Sequence, residues 1–216
     1  MPAENDTPHI VIVGDSTVAT NREGTPSHGW GGVIHAFFTQ DVTIINLAAG
    51  GRSSKSFIGE GRWEKALTHP ADYILIQFGH NDCPGKGPER ETNPETDFRD
   101  YLRKYVDDSR AIGAVPILIT SVTRRRFDNE GNIRTILGPY AEGARVVATE
   151  KEIACLDLHT KSIDMFNRLG DEGSTYISAT PEDRTHFSAE GAKVIAKLVI
   201  EELSEKVRAL KPYLQT

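Results

Sequence analysis

The chain reads as a three-layer α/β/α sandwich built on a five-stranded parallel sheet. Three observations lead there. Five short apolar runs recur along its 216 residues, helical patterns lie between them, and the runs are apolar nearly throughout instead of alternating with polar residues. A strand covered on both faces has that pattern. Strands alternating with helices imply right-handed crossovers and a doubly wound sheet. The expected strand order is 2-1-3-4-5, in one domain over residues 1–216 that begins with a polar segment, 1–8.

The runs are His9–Val13, Val42–Leu47, Tyr73–Phe78, Val115–Thr120 and Ile153–Leu158, each β-branched or aromatic and too short for a core helix. The clearest helix is expected to start with Asn93 as cap and Pro94 at its first position. It would bury Phe98, Leu102, Tyr105, Ser109 and Ile112 on one face and stop at Gly113. The last helix should begin near Ser188, with Ala192, Ile195, Ala196, Val199 and Leu203 as its apolar stripe. Cys83–Thr92, Ser121–Leu137 and Asp171–Thr185 read as long irregular segments, which in a compact domain usually carry function.

Composition narrows the function. A 38% hydrophobic content suffices for a sizeable core, and no apolar run approaches the roughly 20 residues of a membrane span. A formal net charge of -6 argues against a nucleic-acid partner, because phosphate backbones attract an excess of Lys and Arg. Residues 1–8 lack the basic and apolar parts of a secretory signal, so the expected compartment is the cytoplasm, or the exterior if a leader has been removed. Cys83 and Cys155 are read as free thiols.

Four short blocks carry the chemistry. Gly14-Asp15-Ser16-Thr17 follows the first strand, which places Ser16 at the carboxyl edge of the sheet, where open α/β folds bind ligands. It is expected on the turn into a helix, near N–H groups able to hold an oxyanion, although a serine there is as readily a helix cap. Gly50-Gly51 follows the second strand and Gly79-His80-Asn81-Asp82 the third, on the same edge. Paired glycines admit close backbone approach and Asn81 offers a neutral amide donor; a bare turn and an Asx turn are the plain alternatives. Finally, Asp183-Arg184-Thr185-His186 precedes the last helix. A serine nucleophile needs a base, and that imidazole needs a carboxylate to fix its tautomer.

In this order and spacing the blocks resemble the SGNH, or GDSL-type, hydrolase superfamily, over Gly14 to Gly191. Within it, Gly50–Phe57 with Glu60-Gly61-Arg62-Trp63, Gly29-Trp30-Gly31 and Thr123–Phe127 are similar to rhamnogalacturonan acetylesterases. The resemblance implies a flavodoxin-like sandwich and hydrolysis of acetyl esters on pectic rhamnogalacturonan, without metal or organic cofactor. It puts the nucleophile at Ser16, the acid-base pair at Asp183 and His186, and the oxyanion donors at the Ser16 and Gly51 N–H groups and the Asn81 amide. The partner it implies is an acetylated acidic oligosaccharide or polysaccharide; nothing in the sequence fixes an oligomeric state.

Arg124, Arg125 and Arg126 follow the fourth strand on the same edge, and their guanidinium groups match the carboxylate of a galacturonic acid, with a solvated basic loop as the alternative. His80 and Trp30 are further candidates for substrate contact, although an aromatic beside glycine-rich turns more often packs in the core, which is the favoured reading of Trp30. Other short-chain esterases, acting on acetylated xylan oligosaccharides, lipids or thioesters, share the same blocks. A nucleotide-binding module would need a phosphate-cradling glycine loop, which is absent. A metal hydrolase would have to draw on Asp15, Asp82, His80 and His186.

Overall fold

The computed structural model describes residues 7–21 and 24–215, so most of the polar segment 1–8 lies outside the described residues. The sheet comprises β1 (His9–Gly14), β2 (Thr43–Asn46), β3 (Tyr73–Gln77), β4 (Val115–Ile119) and β5 (Cys155–Leu156). All pairings are parallel and the order is 2-1-3-4-5, as expected. The helices are α1 (Ser54–Gly59), α2 (Arg62–Ala66), α3 (Asp97–Ala111), α4 (Gly138–Glu150), α5 (Leu158–Gly173) and α6 (Ala189–Lys206).

The pleat explains the uninterrupted apolar runs. Ile10 and Ile12 of β1 point into one core with Leu75, Ile117, α5 and α6. Val11 and Val13 point into the other, with Ile74, Ile76 and helices α1 to α4. Both faces are therefore covered, and each of these side chains contributes about 1.5–3 kcal/mol by leaving water.

α6 starts where expected: the Ser188 hydroxyl accepts from the Gly191 N–H at 2.9 Å, and the apolar stripe is buried. α3 starts later than expected. Asn93 caps a turn, its side chain accepting from Glu95 N–H and its carbonyl from Phe98 N–H, and the helix proper begins after Thr96. Ile112 lies past the last helical turn and is 43% exposed, so it leaves the buried face while Val106 joins it. The segment from Asp171 is less irregular than expected, because α5 kinks at Gly170, at φ +71° and ψ 175°, and a further helical turn runs on to Gly173.

The larger correction concerns the chain after β1. Among its described residues no α-helix precedes β2; only 3-10 turns occur, at Trp30–Gly32 and Ile34–Phe37. Tight packing against the turn after β1 accounts for the glycines there. A Cβ on Gly29 would lie 2.4 Å from the Ala19 carbonyl oxygen, and one on Gly31 2.6 Å from that of Val18. Ser16 thus sits on an isolated turn, with no helical N-terminus behind it.

Candidate active site

The register brings the strand ends to one level: Gly14 pairs with Gln77, and Ile12 with Asn46. Gly14 must be glycine here, because a Cβ would fall 2.7 Å from the Gln77 carbonyl oxygen. The turn that follows is closed by the Val18 and Ala19 N–H groups donating to the Asp15 carbonyl. Beneath it runs a buried relay. Trp30 Nε1 donates to Gln77 Oε1 at 2.9 Å, Gln77 Nε2 to Thr17 Oγ1 at 2.8 Å, and Thr17 Oγ1 to Asp15 Oδ1 at 2.8 Å. Trp30 is therefore a fully buried anchor, which removes it from the candidate substrate contacts. Gln77 and Thr17 were not singled out from the sequence. Their only signal there is a polar residue ending an apolar run and a hydroxyl beside Ser16.

The half-buried Ser16 points its Oγ at His186 Nε2, 3.0 Å away, and His186 Nδ1 lies 3.0 Å from Asp183 Oδ2. The other Asp183 oxygen accepts from the N–H groups of Thr185 and His186, both at 2.8 Å. Burial pushes the Asp183 carboxyl up, but the backbone donors of His186 and Thr185 and then the imidazole outweigh it, leaving the group below the ordinary carboxylate range. It stays ionised beside the ring. Such a chain can draw a proton from the serine hydroxyl through the imidazole.

Gly50 packs alongside, a Cβ on it falling 3.6 Å from that of Ser16. Gly51 has φ +79°, a left-handed conformation that glycine adopts without strain. Among the described residues the N–H groups of Ser16 and Gly51 have no acceptor. Asn81 spends one amide hydrogen on the Arg52 carbonyl, at 3.0 Å, tying the loop after β3 to the loop after β2. Three donors, the N–H groups of Ser16 and Gly51 and the second amide hydrogen of Asn81, thus stay unspent among the described residues on the loops that follow β1, β2 and β3.

Asp82 fixes the same junction. It accepts from the Ser54 N–H at 3.1 Å, the Ser54 hydroxyl at 2.5 Å and the Thr92 hydroxyl at 3.2 Å. Burial raises its carboxyl to about 7, against those hydrogen bonds. Between the ordinary value of 3.8 and about 7 the folded state then holds a proton that the unfolded chain has lost. Stability attributable to Asp82 therefore falls as pH rises through that window, at up to about 1.4 kcal/mol per pH unit. Unfolding titrations from pH 4 to 7 should show Asp82→Asn gaining on the wild type as pH rises. A constant difference would contradict this assignment.

The arginine run divides. Arg125 is 3% exposed, with Nε on the Ser178 hydroxyl at 2.8 Å and Nη1 on the Asp171 carbonyl and carboxylate at 2.6 and 2.5 Å. Its N–H donates to the Arg184 carbonyl, and Arg184 itself reaches Asp171. Arg125 therefore staples the segment that carries Asp183 and His186, which excludes it as a surface contact. Half-buried Arg124 donates to the His80 carbonyl at 3.0 Å, supporting the Asn81 loop. Only Arg126 is exposed.

His80 is 2% exposed, and neither ring nitrogen finds a partner among the described residues. Burial first and the Arg124 charge second depress its imidazole to about 3, so it stays neutral and inside, away from any surface ligand. His159, in the first turn of α5, is buried with Nδ1 3.0 Å from the Ser121 carbonyl oxygen. Burial pushes the Cys83 thiol up to about 11, and it faces the Gly79 carbonyl. Among the described residues, no three His, Cys, Asp or Glu side chains gather as a metal site.

A cleft of about 490 Å³ opens beside Ser16. Ala19, Ala48, Ala49 and Gly50 form its small-residue side, and hydroxyls and two guanidinium groups, from Arg52 and Arg62, form the rest.

Residues 12–194 match the model of the GDSL-like Lipase/Acylhydrolase family. Two proteins of Bacillus subtilis (strain 168) are similar along almost their whole length. The probable rhamnogalacturonan acetylesterase YesY is 39% identical over 91% of this chain and 93% of its own. The rhamnogalacturonan acetylesterase RhgT is 37% identical over 95% and 93%. The crystal structure of YxiM, from Bacillus subtilis, superposes with a TM-score of 0.82 at 28% identity, covering 93% of this chain and 57% of that one.

Proposed function

Because the chain belongs to the GDSL-like lipase/acylhydrolase family and is a carboxylic ester hydrolase, we propose that it removes O-acetyl groups from rhamnogalacturonan through an acyl-enzyme. The observation that carries the mechanism is the chain of two 3.0 Å contacts from Ser16 Oγ through His186 to Asp183. In this reading His186 takes the hydroxyl proton as Ser16 attacks the ester carbonyl. The developing oxyanion is met by the Ser16 and Gly51 N–H groups and by the free amide hydrogen of Asn81, each typically worth about 3 kcal/mol in the transition state. Asp183 holds the imidazole in the tautomer that presents a bare Nε2 and then stabilises the imidazolium. The protonated His186 returns its proton to the departing sugar oxygen, and water releases acetate by the same path in reverse.

Support for the substrate comes from two sources. The relatives named for rhamnogalacturonan are similar over nearly the full chain. The cleft beside Ser16 is lined, among the described residues, by alanine, glycine, hydroxyl-bearing and arginine side chains, a polar lining that suits a short acyl group on a sugar. Acetate release from acetylated rhamnogalacturonan, acetylated xylan and an aryl acetate, set beside aryl octanoate hydrolysis, tests the proposal. Fastest release from rhamnogalacturonan and slow octanoate cleavage are expected. Preference for xylan or for the octanoate would replace the substrate while leaving the acyl-enzyme chemistry.

A further inference from the structure

The geometry points to Arg62, assisted by Arg52, as the residue that holds a carboxylate of the acidic sugar chain that bears the acetyl group, in the cleft beside Ser16. This assignment rests on the rhamnogalacturonan reading above. Of the arginines first considered for that task, Arg125 is buried and spent on the Asp171–Arg184 segment, and Arg124 supports the His80 carbonyl. None of the three lines the cleft. Arg52 and Arg62 do, within the same cavity as the serine.

Their local structure presents them. Gly61, at φ +69°, lets the chain turn sharply between α1 and α2, so that Arg62 opens α2. Glu60 then lies between the two guanidinium groups. Arg52 Nε donates to it at 3.0 Å and Arg62 Nε at 2.6 Å. Arg52 Nη1 is anchored on the Gly50 carbonyl at 2.8 Å. Glu60 thus engages both arginines through Nε. Among the described residues, Arg52 Nη2 and both Nη atoms of Arg62 have no acceptor.

Two positive groups against one carboxylate leave a net positive rim. The paired Nη atoms of Arg62 form the planar fork that matches a carboxylate with two parallel bonds. The side chains are partly exposed, at 35% for Arg52 and 40% for Arg62, so solvent and salt reach the pair and the contribution is moderate. The hydroxyls of Thr20 and Ser27 on the same cleft suit the neutral hydroxyls of a sugar.

Arg62 is the residue to test, because the Arg52 side chain also braces the Gly50 carbonyl in the loop whose Arg52 carbonyl accepts from Asn81. Arg62→Gln and Arg62→Lys are compared with wild type on acetylated galacturonate-containing oligosaccharides and on the same material with its carboxyl groups reduced to alcohols. For the glutamine variant KM on the acidic substrate should rise about tenfold with kcat little changed, and the lysine variant should fall between. Carboxyl reduction should raise the wild-type KM by a similar factor, and combining it with Arg62→Gln should add nothing further. Equal rises on acidic and reduced substrates, or no rise on the acidic one, would overturn the assignment. If wild type deacetylates both substrates equally well, the inference fails and the substrate reading survives; if it deacetylates neither, both fail.

Discussion

Replacing Ser16 by alanine lowers kcat/KM for an aryl acetate by about 10⁴- to 10⁶-fold, the range seen when a serine nucleophile is removed. The variant should fold as wild type does. Among the described residues the Ser16 hydroxyl hydrogen-bonds only to His186, whereas the turn beneath is held by Asp15, Thr17, Gln77 and Trp30. An unchanged unfolding midpoint beside lost activity therefore separates chemistry from structure. A serine-directed phosphonate should attach once to the wild type and not to the variant, as read by intact mass. Activity within tenfold of wild type, or labelling of the alanine variant, would remove Ser16 from its role.

The features that specify the sheet are local, which is why they could be read from the residues alone. Runs such as His9–Val13 and Tyr73–Phe78 declare strands covered on both faces, and the blocks after them land on the shared carboxyl edge. The Asp183–His186 turn was legible because both partners lie within four residues. What stayed hidden depends on partners far along the chain. Nothing near Trp30 announces that its indole will meet Gln77, 47 residues away. Nothing near Arg125 announces that Asp171 and Ser178 will consume its donors. A basic run says only that charge is present; whether it faces substrate or staples a loop is decided by packing. The missing helix after β1 has the same origin, since backbone crowding at Gly29 and Gly31 is a tertiary constraint.

Asp183→Asn separates two jobs of one side chain. Oδ1 accepts the N–H groups of Thr185 and His186, and Oδ2 faces the Nδ1 of His186. An asparagine oxygen can take over the first job, keeping the turn and its stability. Its NH₂ then occupies the place of Oδ2 and donates to Nδ1, which drives the imidazole hydrogen to Nε2. A ring protonated there donates to Ser16 and cannot accept its proton, so kcat should fall by about 10⁴ at neutral pH with KM little changed. Asp183→Ala loses both jobs. Two backbone donors go without their acceptor, at roughly 0.5–1.5 kcal/mol each, and the unfolding midpoint should drop along with activity. The carboxylate lies below the ordinary range, so mild acid does not protonate it in the wild type. Stability attributable to Asp183 should therefore hold through mild acid and be lost only as pH falls below the ordinary carboxylate range. An asparagine variant within tenfold of wild-type kcat would show that this carboxylate does not govern the tautomer, leaving His186 oriented by its backbone alone.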